Sequence, residues 1–233
     1  MSEKKRVLIL QHILESPAGR VGAMLDEYET FYHLIHVGRD HLPDPSRYHA
    51  IVVLGGSQHV YDKHRYPYTV HEEAYLHQAI KQGIPYLGIC LGGQLLAHAF
   101  QATVKKLPKV HIGFLQIHFT EAGKADPLYK GLAGHQLAFQ WHEDCFLLPE
   151  GAVALAHHTE DFNQAFRYGQ SAYGLQYHVE LTEHMPHRDQ RVARMFTFLI
   201  IVAGAHLDKH GCPTHPRVGV VEGKLRIHLD TGQ

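Results

Sequence analysis

The 233-residue sequence predicts an α/β fold: a central, mostly parallel sheet flanked by helices, with a small antiparallel β insert and a C-terminal extension. Three observations carry this expectation. Short runs of consecutive apolar, β-branched residues recur through the first hundred positions, as they do in strands buried on both faces. Stretches of helical period alternate with those runs, the pattern of a parallel sheet covered by crossover helices. From residue 102 to 177 the pattern shifts to short strands joined by Gly, Pro and Asp turns.

Taken in order, residues 6–11 (RVLILQ) have the composition of a buried strand. Residues 22–30 read as helix and 32–37 as a second strand. The run AIVVL at 50–54 is a third buried strand and ends in Gly55 and Gly56. Residues 69–82 place Val70, Ala74, Leu76, Ala79 and Ile80 at positions that suit an amphipathic helix, which Gly83 closes. A fourth strand at 84–89 follows, with Pro85 near its start, and then a short apolar helix at 91–100. The middle region supplies strands at 112–120, 136–140, 153–157, 164–168 and 172–177. Helix returns at 183–203, where Val192, Met195, Phe196, Leu199 and Ile200 share a face. Beyond Gly204 a link rich in His, Pro and Gly leads to a hairpin, 218–221 and 224–229, turning at Glu222 and Gly223. These boundaries place one domain at 1–204 and the extension at 205–233.

Composition narrows the function classes. Lys plus Arg total 22 and Asp plus Glu 23, so the net charge of −1 gives no electrostatic reason to expect nucleic acid or an anionic membrane as partner. No apolar run approaches the ~18–20 residues that span a bilayer. Three widely spaced cysteines, Cys90, Cys145 and Cys212, argue against a disulfide framework and for a reducing cytoplasm. The 23 histidines raise metal storage or pH sensing as an alternative to ordinary surface use. They are scattered, and neither HExxH nor CxxC is present, so no metal site and no cofactor is expected. No G-x-x-x-x-G-K-[ST] loop offers a nucleotide cradle.

The chemistry concentrates in YLGICLGGQLL, residues 86–96. A buried strand runs through Gly88, Cys90 and Gly92 into a helix, which is a nucleophile elbow with cysteine in place of serine. Glycines two residues either side leave room for the tight turn, and the helix N-terminus favours the thiolate. The amide of Leu91 points where it can help hold a developing oxyanion. A cysteine nucleophile needs an imidazole, and the imidazole needs an orienting group. The candidate pair is His178 and Glu180 in GLQYHVE, residues 174–180, since side chains at i and i+2 of an extended segment share a side. Read alone, the same pair is also the pattern of a surface histidine beside a solvated glutamate.

Three segments in this order, Gly55-Gly56-Ser57, GICLGGQ at 88–94 and GLQYHVE at 174–180, resemble the class I, triad-type glutamine amidotransferases. GGSQHVYD at 55–62 and FQWHED at 139–144 favour the branch of stand-alone proteins similar to the glutaminase subunit of GMP synthase. The resemblance implies a flavodoxin-like sheet. It also implies a Cys-His-Glu triad of Cys90, His178 and Glu180, with an oxyanion hole from the backbone amides of Gly56 and Leu91. Gln94 matches a position that contacts bound glutamine. Gly55, Ser57 and Gln58 fall in the substrate loop, and His142 falls beside the mouth of the site. The implied reaction is attack of Cys90 on the γ-amide of glutamine or another γ-glutamyl compound, through a thioester that water hydrolyses. A separate synthetase subunit taking the ammonia, and a γ-glutamyl peptidase acting alone, are both open. So are a cysteine peptidase-like protein and a non-catalytic protein on the same fold, and a homo-oligomer. The family carries proline between its triad histidine and glutamate; here the residue is Val179, which leaves that turn freer.

Overall fold

The computed structural model describes residues 5–14, 16–158 and 163–182 in full, and the backbone of the strands at 217–221 and 224–228. The chain divides into two compact units, Met1–Met185 and Pro186–Gln233. The expected helix at 183–203 lies outside the described residues. In the second unit, the strands Arg217–Val221 and Lys224–His228 pair antiparallel, Val221 opposite Lys224.

The first unit is built on one nine-stranded sheet. Strands β1 (Arg6–Gln11), β2 (Phe31–His36), β3 (Ala50–Val53), β4 (Tyr86–Ile89) and β9 (Ala172–Leu175) form its parallel half in the order β2-β1-β3-β4-β9. This is the doubly wound, flavodoxin-like order, whose ligands sit beyond the C-terminal ends of the strands. Along β1 the side chains alternate between two cores. Leu8 and Leu10 pack with Leu76, Leu95 and Leu96 on one face, and Val7 and Ile9 pack with Ala18 and Cys90 on the other. Burial on both faces is why these strands read as unbroken apolar runs rather than alternating ones.

Helices α1 (Gly19–Glu27), α2 (Tyr68–Lys81) and α3 (Leu91–Ala99) flank that half. Gly83, at φ +79°, ends α2 as its position suggests. Helix α1 begins three residues before the expected start, because Ala18 enters the helix without a side-chain cap to mark it in sequence. Every residue of α3 from Leu91 to Ala97 is buried, so this helix is a core element rather than an amphipathic one.

The insert continues the same sheet instead of forming a separate one. Strands β5 (Val104–Phe119), β6 (His135–Phe146), β7 (Val153–His158) and β8 (Asn163–Tyr168) add antiparallel beyond β9, in the order β9-β8-β7-β5-β6. β5 is longer than expected. It runs through Pro108, which lacks a donor and falls where the pairing with β6 shifts register between Lys106 and His111. A short helix, Glu121–Ala125, is capped by the Thr120 hydroxyl accepting from the Gly123 amide at 2.9 Å. The insert has its own core of Ile117, Phe119, Tyr129, Leu155 and Tyr177. Tyr129 and Tyr177 share a buried hydroxyl–hydroxyl bond of 2.6 Å there.

Candidate active site

Cys90 lies between the end of β4 and the start of α3 with φ 53° and ψ −105°, a strained conformation for a residue with a Cβ. The strain is held from both sides. Its amide donates to the Leu175 carbonyl of β9 at 2.8 Å, and its carbonyl accepts from the Gln94 amide at 3.1 Å. The flanking glycines serve close approach, not torsion. A Cβ on Gly88 would collide with the backbone of Gly92, and one on Gly92 with the Val53 carbonyl oxygen. The sulfur is buried against β6, near the Trp141 carbonyl oxygen at 3.8 Å.

His178 reaches the same place from beyond β9. Its amide donates to the Phe139 carbonyl of β6 at 2.9 Å, which ties the segment across the site. Its Nδ1 meets Glu180 Oε1 at 2.7 Å, with the two side chains 10% and 0% exposed. Its Nε2 is buried without a hydrogen-bond partner among the described residues. Gly55 packs against both groups: a Cβ there would stand 3.1 Å from His178 Cε1 and 3.6 Å from Cys90 Cβ. The backbone delivers Glu180 differently from the extended-strand expectation. β9 ends at Leu175, and a bend turns Glu180 under the ring. The Val179 amide then donates to Glu180 Oε2 at 3.0 Å, a bond that proline at this position has no N–H to make.

The electrostatics follow from this packing. Burial opposes the imidazolium, but the Glu180 carboxylate and the Cys90 sulfur outweigh it and hold the His178 pKa well above the ordinary histidine value. Burial likewise opposes the Glu180 carboxylate, and His178 with the Val179 amide reverses the sign and lowers it. The arrangement can therefore hold an imidazolium beside a thiol and pass its proton to a leaving group.

The other expected residues divide. Gly56 is hemmed in: a Cβ there would lie 2.7 Å from the Leu91 side chain at Cδ2 and 3.0 Å from His12 Cβ. Ser57 is exposed. Gln58 is buried and donates from Nε2 to the His12 carbonyl at 3.5 Å. Gln94 is 3% exposed, its Nε2 shared between the Asp144 carbonyl at 3.4 Å and Gln176 Oε1 at 3.3 Å. His142 is buried, with Nδ1 2.8 Å from the Asp144 carbonyl and Nε2 3.0 Å from Gln140 Oε1; a neutral ring carries one N–H and donates to one of these two acceptors. Burial lowers its pKa to about 4, so it is neutral near pH 7. Among the described residues no group of three or more His, Cys, Asp or Glu is arranged to hold a metal ion.

Three arrangements were not legible in the residue pattern. His12 Nε2 sits 2.9 and 3.0 Å from the two oxygens of Glu72, a fully buried pair beneath the Gly56 turn joining positions 60 residues apart. His59 Nδ1 and the Tyr61 hydroxyl bond Asp144 at 2.6 and 3.0 Å, clamping the loop after β3 onto β6. Gln176 approaches Cys90, Nε2 to Sγ at 3.8 Å. The stretches GGSQHVYD and FQWHED contained the second set, but nothing local pairs a residue with one 85 positions away.

Comparison with known proteins follows the same lines. The family model described as glutamine amidotransferase class-I matches residues 28–199. The glutamine amidotransferase-like protein YfeJ of Salmonella typhimurium is 31% identical over 158 residues, 66% of each chain. The glutamine-hydrolysing GMP synthase of Thermosipho africanus is 33% identical over 135 residues, 57% of this chain but 24% of that protein. The chain therefore spans less than two thirds of the length of the curated relatives it matches. A crystal structure of a glutamine amidotransferase from Thermotoga maritima superposes with a TM-score of 0.74 at 26% identity, covering 87% of this chain and 86% of that one. A glutamine amidotransferase structure from Methylobacillus flagellatus gives 0.72 at 28% identity, covering 78% and 73%.

Proposed function

The chain belongs to the class I glutamine amidotransferase family, a family of glutamine-hydrolysing enzymes, and from that premise we propose that Cys90, His178 and Glu180 form its catalytic triad. The single observation that carries the reading is the joint placement of Cys90 and His178 around Gly55, with Glu180 behind the ring. In this mechanism the Cys90 sulfur attacks the γ-carbonyl carbon of glutamine or a γ-glutamyl amide. The Gly56 and Leu91 amides hold the oxyanion. The C–N bond then breaks, and the imidazolium proton of His178 goes to the departing amine. Water, deprotonated by His178, next opens the γ-glutamyl thioester to glutamate and free thiol. Gln94 and the 55–58 loop line the pocket for the glutamyl group.

The ammonia acceptor is a separate question. The GMP synthase match covers 24% of that relative, which supports an ammonia-using synthetase as partner chain. Hydrolysis of γ-glutamyl compounds without a partner uses the same thioester and differs only in the leaving amine. Among the described residues no helix is long and apolar enough to cross a membrane, and Cys90 and Cys145 are free thiols, which supports action in a reducing cytoplasm.

A diazo-ketone analogue of glutamine tests the reading. The sulfur displaces dinitrogen from the terminal carbon, and peptide mass spectrometry should find one adduct, on Cys90. Absence of that adduct while iodoacetamide still alkylates Cys90 would sink the γ-glutamyl pocket. A panel of γ-glutamyl amides then separates glutaminase from peptidase.

The triad's electrostatics give a second test. The ion pair is intact above the lowered Glu180 pKa and below the raised His178 pKa, and its stabilisation is lost on leaving that window in either direction. Glu180→Gln should therefore bring the His178 titration, followed by imidazole NMR, down toward the ordinary value. A His178 titration unmoved by the substitution would exclude Glu180 as its partner.

A further inference from the structure

Behind the nucleophile lies a buried circuit of neutral side chains. Gln176, fully buried, directs Nε2 at Cys90 Sγ, 3.8 Å away, while its Oε1 accepts from Gln94 Nε2 at 3.3 Å. Gln94 Nε2 also reaches the Asp144 carbonyl, and that carbonyl meets His142 Nδ1 at 2.8 Å. His142 Nε2 adjoins Gln140 Oε1 at 3.0 Å, and Gln140 Nε2 donates to Gln164 Oε1 at 2.9 Å. The circuit closes where the Gln176 amide donates to the Gln164 carbonyl at 2.8 Å. Gln94, Gln140, His142, Gln164 and Gln176 are each at most 5% exposed. Burying this many amides in a small core is costly unless partners hold them. Gln94 and Gln176 are tied to each other and to β6 and Cys90, while Gln164 accepts at Oε1 and its buried Nε2 has no partner among the described residues.

We propose that Gln176 is a catalytic residue: its side-chain amide donates to the Cys90 thiolate, and the circuit through Gln94, Gln140, His142 and Gln164 positions it there. This deepens the reading of Cys90 as nucleophile and rests on it. The titratable groups around the sulfur are His178 and Glu180 beyond β9, His142 and Asp144 on β6, and the His12–Glu72 pair beneath the Gly56 turn. His178 supplies the positive charge and His142 is neutral, which leaves Gln176 as an uncharged donor on the side of β9. Such a donor stabilises the thiolate without supplying a proton that could quench it. Because Gln94 binds both Gln176 and β6, the same circuit joins the nucleophile to the pocket proposed for substrate.

The test uses thiol reactivity, which needs no substrate. Gln176→Met keeps the volume and removes the donor. Its Cys90 alkylation rate by iodoacetamide at pH 7, relative to the rate in strong base, should fall about ten-fold, as loss of a hydrogen bond to a charged group implies. Gln94→Met, which leaves Gln176 present but untethered, should give a smaller fall. On the unsubstituted chain, the Gln176 side-chain amide proton should move downfield in NMR spectra as Cys90 ionises, a readout that does not depend on any variant folding. An unchanged alkylation ratio in folded Gln176→Met, or an amide proton that ignores the thiol, would overturn the proposal. Failure of the γ-glutamyl reading is separate, since it appears as a missing diazo-ketone adduct in a protein whose alkylation ratio still responds.

Discussion

Cys90→Ala should abolish release of ammonia or amine from γ-glutamyl substrates, and His178→Ala should lower it by about four orders of magnitude, as loss of a triad member does. The two losses have different origins. Without the sulfur no thioester forms, and no other described residue is placed to replace it. The other described cysteine, Cys145, sits in β6, and burial pushes its thiol up, away from the reactive form. Without the imidazole the thiol survives, but the departing amine has no proton source and the water step no base. The double substitution should therefore cost little more than Cys90→Ala alone, because the residues act as one unit. Steady-state ammonia release, with melting temperatures to show that each variant folds, measures all three. Full turnover in Cys90→Ala would end the mechanism.

Gly88→Ala should damage the fold itself. Its Cβ would collide with the Gly92 backbone and stand 2.7 Å from the Gly93 nitrogen. Those atoms belong to the first turn of α3, which cannot retreat: a Cβ on Gly92 already meets the Val53 carbonyl of β3, and one on Gly93 would lie 2.6 Å from the Leu175 carbonyl of β9. Helix and sheet are in backbone contact here, so relief requires shifting α3 or reopening the Cys90 turn. We expect about 3 kcal/mol of destabilisation, the upper end for overpacking. In a chain of this size that is a melting temperature lower by roughly 6–12 °C. Residual folded protein should also alkylate slowly at Cys90, since the strained φ of 53° depends on the same contacts. A melting temperature within about 2 °C of the parent would show that the elbow accommodates a methyl group.

What the residues determined by themselves is local. Apolar runs without alternation specify strands buried on both faces, and that requirement stands for β1, β3 and β4 before any fold is known. The elbow is legible because strand, turn and helix are consecutive in the chain, and its two glycines record how closely α3 must approach the sheet. Expectations weakened where local pattern gave way to pairing. β5 is longer than its residues predict because Pro108 masks a strand that the β6 ladder carries across the interruption, and sequence does not say which edge of the sheet the insert joins.

The site followed the same division. Cys90 and the His178–Glu180 spacing are sequence features, but it is packing that brings His178 and Cys90 together around Gly55. The bend after Leu175, not the strand period, brings Glu180 to the ring, with the Val179 amide as an added donor. His12 with Glu72, His59 with Asp144, and the circuit ending on Gln176 are decided by tertiary structure alone. Their members are ordinary polar residues at surface-like spacings. They come together only when segments distant in the chain lie side by side, and where they are buried the packing excludes the water that would otherwise satisfy them.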